Sequence, residues 1–183
     1  MITPIDFDDL RPDLRDALRA RYERLGYLGD FFRYMAHQPG ALISFDAFTE
    51  ACKHALPFDL AETIALTAAT RLGNDYERHQ HERLAIRNGL SHSWVAGVEA
   101  LQPDSLPAPR ADAQRYVLAA IASLGGGPDG SADALDRLAA ELGDATAAAV
   151  ALLTARFVAH ATVSRACRLQ PTVPSIFDPA SDV

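Results

Sequence analysis

The chain has 183 residues, 49% of them apolar and 22% charged, a balance that supports one folded core and excludes a disordered polymer. Seventeen Lys and Arg against 24 Asp and Glu leave a formal net charge of -7 with no basic block, which argues against a nucleic-acid partner. Met1 to Leu10 carries Asp6, Asp8 and Asp9 where a signal peptide would have basic and apolar segments, so the chain reads as cytoplasmic.

Apolar residues recur every three or four positions almost throughout, without period-two alternation, which predicts an all-α bundle of about eight or nine helices. Pro12 suits a first helical turn, ahead of a Leu14, Leu18, Tyr22 and Leu25 stripe that stops at Gly26. A shorter helix runs from about Asp30 to His37. A third, from about Ala41 to Ala55, aligns Leu42, Phe45, Phe48 and Cys52 and ends at Pro57. Asp59 is the expected N-cap of a helix to Leu72, stopped by Gly73. Asn74 or Asp75 then caps a helix reaching Asn88, and Ser91 caps a short one through Leu101.

Pro103, Pro107 and Pro109 make a loop that parts the chain into two halves. Helices follow over Asp112 to Leu124, Ser131 to Leu142 and Asp144 to Leu169. Between the first two, Gly125-Gly126-Gly127-Pro128-Asp129-Gly130 reads as a loop, because no strand precedes it and no Gly-Lys-Ser/Thr follows, as a phosphate cradle would need. The apolar run Ala145 to Ala161, broken by Arg156 and His160, falls short of the roughly 20 strongly apolar residues of a membrane span and reads as a core helix. His160, with Arg156 and Ser164 at helical spacing, reads as a core or interface histidine. Residues 1–170 form one expected domain. The tail 171–183, with Pro174, Pro179 and few anchors, reads as extended or mobile, or as a strap for a partner subunit.

Cys52 and Cys167 stand far apart and read as two small buried residues in a reducing compartment. The dense chemistry lies elsewhere, between Glu62 and Ser91. On a helix beginning near Asn74, Glu77 and His81 are four apart and share a face with Asn74, Leu84 and Asn88, while His79 points away and reads as exposed. A carboxylate one turn from an imidazole can orient the ring for general-base work; the plainer reading is a surface ion pair worth about 0.3–0.5 kcal/mol.

Glu62, then Gly73-Asn74-Asp75-Tyr76-Glu77-Arg78, then His81, Ala85 and Gly89-Leu90-Ser91 resemble the core motif of the carboxymuconolactone decarboxylase and alkylhydroperoxidase D superfamily. Many of its members read Tyr-Glu-Trp-x-x-His-x-x-x-Ala-x-x-x-Gly-Leu here, so Arg78 replaces a usual Trp. The resemblance is tight over residues 62–91, looser over most of the chain, and extends upstream to Phe32-Arg33-Tyr34-Met35-Ala36-His37-Gln38-Pro39. It implies an alkylhydroperoxidase D-like helical bundle that assembles as a dimer, trimer or hexamer. In the peroxidase branch, two cysteines and a His follow a Glu at twelve, fifteen and nineteen residues. Here those places hold Asn74, Glu77 and His81, and neither an amide nor a carboxylate can form a sulfenic acid.

The resemblance therefore implies the non-peroxidase branch. That points to cofactor-free acid–base chemistry, such as decarboxylation or isomerisation, on a small carboxylate or carbonyl metabolite. His81, Glu62, Tyr76 and Glu77 are the expected catalytic residues, Asn74 and Arg78 the expected substrate contacts, and no metal or cofactor is expected. Arg71 and Arg83, the other cations near the motif, read as solvated. The alternatives are a non-catalytic small-molecule-binding or assembly protein on the same scaffold, a metal-dependent enzyme using Glu77 and His81, and an alkylhydroperoxidase-like antioxidant protein. Neither nucleic acid nor membrane is an expected partner.

Overall fold

The computed structural model describes residues 2–127 and 130–179. They form nine α-helices and no strand among the described residues: α1 Pro12–Leu25, α2 Asp30–Met35, α3 Pro39–His54, α4 Phe58–Leu72, α5 Asp75–Arg87, α6 His92–Glu99, α7 Arg110–Leu124, α8 Ser131–Leu142 and α9 Asp144–Ala166. Pro128, Asp129 and the last four residues of the tail lie outside the described residues.

Local chemistry accounts for most boundaries. Gly26 closes α1 in the left-handed region, and Leu14 and Leu18 on its inner stripe are wholly buried. Ser91 caps α6 by accepting the Trp94 N–H at 3.1 Å. Two expectations are corrected. α3 starts at Pro39 rather than Ala41, because proline at a first helical position has no amide to lose. Pro57, not Asp59, occupies the N-cap position of α4, and Asp59 lies inside the first turn, bonded to Arg110 at 3.0 Å. Asn74 does hold the N-cap position of α5, with no capping bond from its side chain.

The proline loop contains a short 3₁₀ turn at Pro103–Ser105 and does not divide the structure, since α4 packs against α7 and α9 from beyond it. α4 is the centre. Its residues from Leu60 to Ala69 are all buried, which demands apolar contact all round, and α5, α6, α7 and α9 provide it. α9 is the one described helix long and apolar enough to cross a membrane, but half of that stretch is buried, with Val150, Leu153 and Phe157 in the core beside α4. It is a second core helix.

Three polar residues interrupt the buried run of α4, and two are satisfied simply. Thr63 donates to the Asp59 carbonyl at 2.8 Å, and Thr67 accepts from Gln114 at 3.0 Å. The third is Glu62, 1% exposed, whose carboxylate must find its partner on another helix. The turn at Gly73 decides which. Its φ of 61° lies in the left-handed region open to glycine, so the chain reverses within two residues and lays α5 back along α4.

The tail is anchored more firmly than its sequence implies. Ser175 Oγ donates to Glu82 at 2.6 Å, the Ile176 N–H to the same oxygen at 2.8 Å, and Arg83 to the Pro174 carbonyl at 3.0 Å. His79 is half-buried beneath it, bonded to the Val173 carbonyl at 3.0 Å, not exposed. The reason is Glu82: a fully buried carboxylate needs donors, and the tail supplies two of them.

Candidate active site

Folding α5 against α4 brings His81 Nδ1 to 2.7 Å from Glu62 Oε2, 19 residues apart in sequence. Glu62 is 1% and His81 7% exposed. The Nδ1–H donates to the carboxylate, which fixes the tautomer and leaves Nε2 without a hydrogen bond among the described residues. The Phe157 ring meets the imidazole edge-on at 5.3 Å between centroids, so the ring is held both by its hydrogen bond and by packing.

One turn before His81 on α5 lies Glu77, which belongs to a second buried layer. Arg156 Nη1 donates to both its oxygens, at 2.9 and 2.8 Å, and Arg156 Nε donates to Thr49 of α3 at 3.1 Å. His160, one turn further along α9, places Nε2 at 3.3 Å from Glu77 Oε1, while its Nδ1 lies 3.1 Å from the Ser164 hydroxyl. Burial drives the Glu77 carboxyl upward, but the Arg156 guanidinium, with the neighbouring imidazoles adding to its effect in acid, outweighs it and holds the pKa down at about 2. Burial lowers His160 to about 3 against the pull of Glu77, so its ring is neutral at pH 7 and its Nε2 lies beside the carboxylate without an aligned hydrogen bond.

Of the two carboxylates expected to serve His81, Glu62 holds the ring, and Glu77 is committed to Arg156. The physical reason is that a buried guanidinium on α9 requires a carboxylate, and Glu77 faces it. That commitment also counts against Glu77 as a metal ligand. Among the described residues no group of three or more His, Cys, Asp or Glu side chains is arranged to hold a metal ion.

Tyr76, also an expected catalytic residue, is bonded to α2. Its hydroxyl accepts the Phe31 N–H at 3.1 Å, above Gly29, where a Cβ would come within 2.8 Å of it. Burial pushes the phenol up to about 12. Neither Asn74 nor Arg78, the expected substrate contacts, lines the cavity that holds Glu62 and His81. Asn74 is buried at the start of α5, away from the cavity that holds Glu62 and His81. Arg78, about 100° round the helix from Glu77, bonds Asp75 at 3.0 Å and Glu82 at 3.1 Å, with Glu99 at 3.6 Å. In that cluster burial and then Glu82 push the Glu99 carboxyl up to about 7. Both cysteines are free; Cys52 is buried, whereas Cys167 is half-exposed rather than buried.

Glu62 and His81 line a cavity of about 670 Å³ together with Tyr76, Glu77, Arg156 and Lys53. Exposed Arg24, His54 and Arg87 line the same cavity, so the buried pair communicates with solvent through a mouth. Of the cations near the motif, Arg83 also lines it, while its Nε is held by the tail. The sequence reading missed Arg156 and His160 as members of the site. Their signal was present: two polar residues four apart inside an apolar helix must be satisfied by a common partner.

No protein-family model matches the chain, and no curated protein matches it. Solved structures do. The apo crystal structure of the debrominase Bmp8 superposes with a TM-score of 0.75 at 21% identity, covering 94% of this chain and 92% of that one. A cysteine-to-alanine variant of the same debrominase, in complex with 2,3,4-tribromopyrrole, gives a TM-score of 0.73 at 22% identity, covering 93% and 90%. At this identity the likeness is one of fold.

Proposed function

We propose that the chain is a cofactor-free acid–base enzyme acting on a small carboxylate or carbonyl metabolite by decarboxylation, isomerisation or a related lyase step. The observation that carries this reading is the 2.7 Å Glu62–His81 hydrogen bond at the wall of an open cavity. Glu62 orients the imidazole and faces the charge that develops when Nε2 takes a proton, and Nε2 is left free for substrate. Arg156 and Glu77 form a rigid buried wall behind the pair. Asn74 and Glu77 stand where the motif's peroxidase branch has thiols, so the reading is not that of a thiol peroxidase. The tribromopyrrole complex of a debrominase with this fold supports a small-molecule site on the scaffold.

A cytoplasmic homo-oligomer belongs to the same reading, with exposed Leu152 on the half-buried α9 as an apolar contact to a second copy. The test is a thermal-shift screen of small carboxylic and carbonyl compounds, repeated with His81→Ala. A ligand whose stabilisation disappears in the variant supports the site. Ligands that stabilise both proteins equally would leave a non-catalytic scaffold as the better account.

A further inference from the structure

Lys53 is the only lysine among the chain's 17 basic residues. Every other cationic side chain is arginine, which stays charged and cannot act as a nucleophile, so the amine occurs at a single side chain. That side chain lies on α3, one turn beyond Thr49, and lines the cavity with Glu62, Glu77, His81 and Arg156. Its ammonium makes no hydrogen bond or ion pair among the described residues, although the carboxylates of Glu50, Glu62 and Glu77 are near enough to act on its charge. Burial pushes its pKa below the usual lysine value, and Arg156 adds to that effect against the three carboxylates.

We propose that Lys53 captures the substrate carbonyl as an imine while the Glu62–His81 pair moves the protons, which makes the substrate a small aldehyde or ketone. This inference rests on the acid–base reading of the site. The Lys53 ammonium first passes one proton to His81 Nε2, which makes the imidazolium; the neutral Nζ then attacks the carbonyl carbon, and the C=O electron pair moves to oxygen, which takes a proton. Nitrogen then loses a proton, and the hydroxyl takes another and leaves as water, so amine, carbonyl and one net proton from the imidazolium give a protonated imine plus water. The iminium nitrogen accepts the electron pair released when a neighbouring C–H or C–carboxylate bond breaks, with loss of a proton to His81 or of carbon dioxide. Protonation of the resulting enamine carbon and hydrolysis by one water return the free amine.

The experiment is reductive trapping of the full chain with pyruvate, acetoacetate or propanal and sodium cyanoborohydride, read by intact mass and peptide mapping. The expected result is a mass gain equal to the carbonyl compound less one oxygen, mapped to the Lys53 peptide. Only the N-terminal amine competes. The adduct should vanish in Lys53→Arg, and His81→Gln should slow its formation by about 10²-fold. Modification confined to the N-terminus, or none with any of the three compounds, would overturn the imine; an unchanged rate in His81→Gln would overturn the part given to the dyad. Because the wild-type map is decisive alone, a poorly folding variant does not obscure the answer. If compounds stabilise the protein in a His81-dependent way and no adduct forms, the imine fails while the acid–base reading stands. If neither binding nor adduct occurs, both fail.

Discussion

A single nitrogen of Arg156 reaches both carboxylate oxygens of Glu77, at 2.9 and 2.8 Å, and joins two helices that lie far apart in sequence. Both side chains are buried, so each is the other's main compensation for leaving water. The contact fixes the face of α5 that also carries His81.

Breaking this pair from one side should be costly. Arg156→Met strands the Glu77 carboxylate in the core and is expected to lower unfolding free energy by about 3–5 kcal/mol, whereas Arg156→Met combined with Glu77→Gln should recover a large part of it. Urea unfolding of the single and double variants measures both. A single variant as stable as the double would mean that the pair is not what keeps these groups buried.

Glu62→Gln keeps the shape of the side chain and removes the charge opposite the imidazole. Once a substrate is in hand, turnover should fall by about 10²-fold or more with little change in KM, because the interaction matters when His81 carries a proton. Steady-state kinetics would decide this. A raised KM with unchanged turnover would instead make Glu62 part of uniform substrate binding.

Stability should respond to pH through three groups, two of which oppose the third. His160 is lowered from 6.5 to about 3 in the fold, so the unfolded chain binds the extra proton between those values; its contribution is complete above pH 6.5 and is lost as pH falls towards 3. Glu77, lowered from 4.5 to about 2, adds a loss in the same direction below pH 4.5. Glu99 is raised from 4.5 to about 7, so its contribution is present below pH 4.5 and lost as pH rises through 7. Between pH 4.5 and 6.5 the His160 and Glu99 slopes oppose each other. The stability advantage of wild type over His160→Gln should therefore grow with pH across that interval, and its advantage over Glu99→Gln should shrink. Melting curves at half-unit pH steps test the signs; parallel curves for wild type and His160→Gln would refute the neutral buried histidine.

Helix content and most helix limits were legible in the chain, because they depend on local terms: apolar spacing near 3.6, proline at first turns, and glycine at Gly26 and Gly73. The turn at Gly73 was legible too, and with it the return of α5 along α4, but which carboxylate of the pair of helices would hold His81 was not. The sequence by itself thus determined an all-helical chain and the reversal that sets α5 against α4. Which carboxylate serves which cation was decided only by the tertiary structure. Arg156 arrives from α9 and takes Glu77, the tail returns to satisfy Glu82, and Phe31 claims the Tyr76 hydroxyl. Each of these partners lies 45 or more residues away in the chain, and a buried polar group accepts whichever donor the packed helices bring within about 3 Å, a distance no local pattern encodes.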